Sequence, residues 1–89
     1  MVNVCGFVMR LQESSMSQNG NPIRTFHLYD RSGKSVLCTA LGRHVDNPTL
    51  IECSEIIIYF AVSLSGASSS MPGQLWIYDD AHLVALRHG

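Results

Sequence analysis

The chain has 89 residues, a formal charge of −1 and 46% hydrophobic residues, which is enough for one small folded domain and too apolar for a disordered tail. The near-neutral total excludes a uniformly basic nucleic-acid binder, and no apolar run approaches the ~20 residues of a membrane-spanning helix.

In chain order, Val2 to Leu11 is an apolar-rich run that reads as a first strand, with Gly6 expected to mark a bend or bulge. No basic segment followed by an apolar one and a small-residue cleavage site precedes it, so no secretory leader is expected. Glu13 to Pro22, "ESSMSQNGNP", is polar, carries the turn signal Asn19-Gly20 and reads as a loop. Arg24 to Asp30 is a second strand, with Phe26 and Leu28 on one face and His27 and Tyr29 on the other. Asp30-Arg31-Ser32-Gly33 is a tight hairpin turn. Lys34 to Leu41 is a third strand, burying Val36, Cys38 and Ala40 and turning Leu37, Thr39 and Leu41 the other way.

Asn47-Pro48 limits the next segment to a turn or one short helical turn. Glu55 to Leu64 is a β-branched fourth strand in which Tyr59 and Phe60 read as packing residues. Ser65 to Gly73 is a small-residue loop, and it and Glu13–Pro22 are the expected mobile parts. A fifth strand is expected around Leu75 to Tyr78 and again over His82 to Leu86, with Trp76 and Tyr78 alternating with Leu75 and Ile77; Trp76 reads as core or rim packing, the alternative being a ring that stacks on a base at the barrel's edge. Strands with long loops after the first and fourth, and little or no helix, predict an all-β domain: a five-stranded Greek-key OB-fold barrel spanning residues 1–89. An SH3-like barrel is the runner-up.

Three cysteines far apart in apolar surroundings, Cys5, Cys38 and Cys53, read as reduced core thiols of an intracellular protein. The histidines His27, His44, His82 and His88 are scattered, so neither a metal site nor another cofactor is expected. No spacing sets a nucleophile beside a base, there is no glycine-rich phosphate loop, and Asp79 and Asp80 are adjacent rather than paired across a site; no enzyme is expected. Arg24, Arg31, Lys34 and Arg43 gather within or beside the hairpin, so a basic strip would exist there despite the acidic total. The alternative is a set of solvated strand-end charges.

"VCGFVMRL" and "IRTFHLYDRSGKSVLCTALGRHVD", from about Val2 to Asp46, resemble the OB domains of the replication protein A large subunit, most of all its second single-stranded-DNA-binding domain. The likeness continues through "EIIIYFAVSLSG" and "QLWIYDDAHLVAL". It implies a single-strand groove across the second and third strands, flanked by the first-to-second and fourth-to-fifth loops, in which rings stack on bases and basic or hydroxyl side chains hold phosphates. By this likeness Arg24 matches a basic position, Thr39 a hydroxyl position, and Leu41 the position of a stacking ring. Ser65 to Gly73, which would supply a second ring, has none. The candidate nucleic-acid-binding residues are therefore Arg24, Tyr29, Arg31, Lys34, Thr39, Leu41 and Arg43, with Tyr29 the surviving stacking candidate. Two missing stacks would cost about 2–6 kcal/mol of affinity.

The expected function is single-stranded DNA binding, weak when the domain stands alone, as part of a larger nuclear protein or complex of replication, repair, recombination or telomere maintenance. A second reading is an OB domain for protein–protein contact in a complex of the same kind, and a third is a bare structural barrel in an unrelated enzyme. A basic groove would favour the first, a leucine-lined neutral one the second, and a groove covered by other domains the third.

Overall fold

The computed structural model describes residues 2–63 and 74–87, apart from the side chain of Arg87. The strands are β1 (Val2–Met9), β2 (Ser15–Met16), β3 (Pro22–Tyr29), β4 (Ser35–Leu41), β5 (Glu55–Ser63), β6 (Gln74–Ile77) and β7 (His82–Arg87). They pair in the order β1-β3-β4-β6-β5-β7, and an additional β1–β5 pairing closes the circuit. The β4–β6 pair is parallel and the others are antiparallel. β6 and β7 are two halves of one strand, both antiparallel to β5 and interrupted at Tyr78–Ala81, while β2 is a short addition to β3. The result is a closed five-strand Greek-key barrel with its third and fifth strands parallel, the connectivity of an OB-fold.

Alternation decides what the barrel buries. Phe26 and Leu28 of β3, Val36, Cys38 and Ala40 of β4, Ile56 and Ile58 of β5, and Leu75 and Ile77 of β6 form the core, with Val8 of β1. The register expected for β4 is the one observed: Cys38 is fully enclosed and Leu37 only half-buried. Burying one large side chain is worth about 1.5–3 kcal/mol, against roughly 0–1 kcal/mol for a surface ion pair, so these rows hold the barrel and the charges decorate it.

Some expectations are corrected. Gly6 is not the bulge of β1. The register shift lies between Val2 and Val4, and Gly6 marks a close approach, where a Cβ would meet the Tyr29 carbonyl oxygen at 2.5 Å. The Glu13–Pro22 loop carries β2 and a turn in which the Ser17 amide donates to the Asn21 carbonyl (2.8 Å). The helical turn comes at Gly42–His44, ahead of Asn47-Pro48. Asp79 and Asp80 occupy the turn between β6 and β7. Phe60 is no packing residue: it is exposed, with φ +63°, a conformation unfavourable for a bulky side chain. Its amide is held by Asn3 Oδ1 at 3.0 Å. The Ser65–Gly73 loop and Leu64 lie outside the described residues.

Candidate functional site

The outward face of β3, β4 and β6 is built by the same alternation that fills the core. Ile23, Thr25, His27 and Tyr29 of β3 stand opposite Leu41, Thr39, Leu37 and Ser35 of β4. Parallel pairing then sets Leu37 beside Gln74 and Thr39 beside Trp76. Leu75 and Ile77 are fully enclosed, so Trp76 between them faces outward and is half-buried. Its indole stacks with the exposed Tyr78 ring, centroids 6.3 Å apart and planes 21° apart. His27 and Tyr29 form a second, tilted pair at 6.5 Å. The Trp76 Nε1 and His27 Nδ1 atoms are sheltered from solvent and have no hydrogen-bond partner among the described residues.

Of the two packing positions expected for Trp76, core and rim, the structure gives the rim. The register of two strands that are not consecutive in the chain makes the choice. Thr39 and Leu41 are silent about rings, but β6 lies beside β4 and brings one. Leu41 faces the groove, half-buried and paired with Ile23. Thr39 faces it too, but is enclosed between Thr25 and Trp76, which leaves its hydroxyl little access to a phosphate. Tyr29 lies at the turn end of this face, between Phe7 of β1 and Ser35.

The four basic residues do not form one strip. Arg24 belongs to the inward-facing set of β3, opposite Ala40, and its Nε donates to the Gln12 carbonyl at 2.7 Å. Arg43 is tied down more completely: its Nε donates to the Asp79 carbonyl (2.8 Å), its Nη2 to the Ala81 carbonyl (2.9 Å), and its amide to Asp79 Oδ1 (3.0 Å). Arg31 and Lys34 stand exposed at the opposite end of the hairpin, about 20 Å of strand away. Arg31 approaches Glu55 at 3.6 Å. No side chain of the β3–β4–β6 outward face carries a formal charge among the described residues.

Beside Arg43, His44 is buried. Its Nε2 lies 2.9 Å from the Ala81 carbonyl and its Nδ1 3.2 Å from Asn47 Nδ2. The neutral tautomer with Nε2–H donating and Nδ1 accepting satisfies both bonds. Burial, with the neighbouring Arg43 charge second, lowers the His44 pKa below its ordinary 6.5.

Of the cysteines, only Cys38 is a core thiol, and burial pushes its pKa up to about 12, so it is inert. Cys5 and Cys53 are exposed, contrary to expectation: Cys5 stands on the outward set of β1, and Cys53 sits in a turn with φ +69°. No group of histidine, cysteine and acidic side chains is arranged to hold a metal among the described residues. None of the described helical segments is long and apolar enough to cross a membrane. Comparison of the chain with protein-family models, curated proteins and solved structures found no match.

Proposed function

We propose that this barrel is a single-strand nucleic-acid-binding module that holds bases by stacking, with little help from phosphate contacts. The observation that supports this reading is the Trp76–Tyr78 stack on the outward face beside Thr39. A base stacked on such a platform is worth about 1–3 kcal/mol. Arg31, Lys34 and Arg43 are the candidate basic residues that are exposed, and Arg43 is engaged by two side-chain hydrogen bonds, so at most about three phosphates are neutralised and the log–log salt slope is no steeper than about −2. Affinity in isolation is weak, which fits a module working within a larger nuclear assembly that handles single strands in replication, repair, recombination or at telomeres.

A second reading, a protein-contact domain, has its own support. The face is neutral and lined by Leu37, Leu41 and Ile23, the character that suits a peptide or another domain. No catalytic role is proposed for either.

Trp76 is the chain's one tryptophan, so its fluorescence reports on the platform directly. Titration with a poly-pyrimidine strand at low and at physiological salt is expected to quench it, with the shallow salt slope given above. Absence of both quenching and binding at low salt would remove the nucleic-acid reading and leave the protein one.

A further inference from the structure

β7 is the last strand of the sheet. One side pairs with β5, from Tyr59↔His82 to Glu55↔Arg87, and the other pairs with no strand among the described residues. In an antiparallel pair the backbone groups of each strand point alternately toward the partner and away. Alternate residues of β7 therefore turn an N–H and a C=O outward. No loop among the described residues bonds to them; Arg43 and His44 reach only as far as the Ala81 carbonyl. Soluble proteins protect such an edge with charges, proline, bulges or a covering segment. From His82 to Leu86 the strand carries no formal charge and no proline, and its one register shift comes at the far end, between Ala85 and Arg87. Val84 and Leu86 stand 44% and 49% exposed on it.

The neighbouring surface is apolar as well. Ile56 and Ile58 take the inside of β5, so Ile57 and Tyr59 face outward beside Val84 and His82. Phe60 is held out by its positive φ, 49% exposed, with its ring edge-on to His82 at 6.1 Å. The edge is also its own complement. A two-fold axis through the middle of β7 sets Leu83, Val84 and Ala85 against apolar residues of an identical strand and leaves the formally charged position, Arg87, at the outer end. We propose that β7 pairs antiparallel with β7 of a second copy of this chain, joining two barrels through one continuous sheet, with Val84, Leu86 and Phe60 packing alongside. Such a contact covers on the order of 500 Å² per chain, close to the total of about 1,000 Å² at which specific interfaces begin, so the dimer is weak and concentration-dependent. This inference is independent of the groove reading.

The test is sedimentation equilibrium of the whole chain from about 10 μM to about 1 mM, with hydrogen exchange of the β7 amides followed at both ends of that range. A monomer–dimer equilibrium with a dissociation constant on the order of 100 μM is expected, and alternate β7 amides should exchange more slowly as dimer forms. Val84→Lys brings two ammonium groups near the axis and is expected to weaken the dimer at least about tenfold. Should that variant fail to fold by circular dichroism, Leu86→Lys at its exposed position is read instead, with the same expected loss. A chain still monomeric at about 1 mM overturns the proposal. So do species larger than a dimer, which mean a head-to-tail contact, and β7 amides already protected in the monomer, which mean that the chain covers its own edge. A dimer that Leu41→Lys breaks and Val84→Lys leaves intact overturns it too, because the contact would then lie on the groove face.

Discussion

The β3–β4 hairpin has two ends, and they are held by opposite means. At the turn end the hydrogen bonds are local. Asp30 Oδ1 accepts from the Ser32 amide (2.9 Å), the Ser32 hydroxyl (2.6 Å) and the Lys34 amide (3.1 Å), and Gly33 supplies the φ of +88° that the turn requires. At the other end, Arg43 and His44 reach Asp79 and Ala81, 36 to 38 residues along the chain. Both ends are basic in sequence, yet at the turn end the cations donate no side-chain hydrogen bond among the described residues, Arg31 making only an exposed ion pair with Glu55. A count of positive residues near a hairpin is therefore a poor locator of a phosphate path. What each cation already holds decides whether it is available.

Substitution of the two arginines separates the ends most sharply. Arg43→Ala removes one exposed and one partly sheltered bond from a charged donor, and we expect a loss of about 1.5–3 kcal/mol, a sizeable share of the stability of a small domain. Arg31→Ala removes one exposed pair at 3.6 Å and should cost less than about 1 kcal/mol. Urea midpoints for the two variants measure the difference directly. Equal losses would mean that the corner is not the clamp described here.

The same contrast explains how much could be read beforehand. Local patterns were legible: the Asp30–Gly33 turn, the inward set Val36, Cys38 and Ala40, and the interrupted last strand all follow from neighbours within a few residues. What depended on distant pairing was not. Trp76 alternates like a core residue until β6 is laid beside β4 and its partners Leu75 and Ile77 take the inside. Arg24 and Arg43 look free until Gln12, Asp79 and Ala81 arrive to accept from them. Phe60 looks like packing until the strand bulges into a positive φ.

On the groove face, the proposed stacking platform occupies β6 and leaves the open end of the hairpin without a ring at Leu41. Leu41→Trp would extend the ring surface along β4, one step beyond Thr39. The expected gain in single-strand affinity is about 1–3 kcal/mol, roughly five- to 150-fold, with little change in salt slope because stacking releases no counterions. Trp76→Leu should lose a comparable amount. If Leu41→Trp leaves nucleic-acid binding undetectable but abolishes association with a protein partner, the face is a protein site.

Acid should also tell the ends apart, the corner yielding first. His44 is kept neutral by burial, so the unfolded chain takes up a proton at this residue near pH 6.5 while the folded chain does not. More protons on the unfolded state means stability falls as pH drops below about 6.5, by up to about 1.4 kcal/mol per pH unit until the lower folded pKa is passed. Comparing the pH dependence of the urea midpoint in the native chain and in His44→Gln isolates this contribution. An identical slope in the two would exclude His44 as the source.

The turn end should give way later and by less. The Asp30 carboxylate is held below its ordinary 3.8, first by the Ser32 hydroxyl; desolvation opposes this next, and the Lys34 and Ser32 amides together with the Lys34 charge keep the net shift downward. A lowered carboxylate pKa works in the opposite sense from a proton-bound pair: its contribution is full above about pH 3.8 and is lost as pH falls through the lower folded value. The group is open to solvent, so the turn is expected to fray rather than the barrel to unfold. The Ser32 and Lys34 amide resonances, which report the accepting oxygen, should therefore titrate with a midpoint below 3.8, well under the pH range in which His44 acts. A midpoint at or above 3.8 would mean that the three donors do not hold the carboxylate, and the turn end would then owe its shape to Gly33 alone.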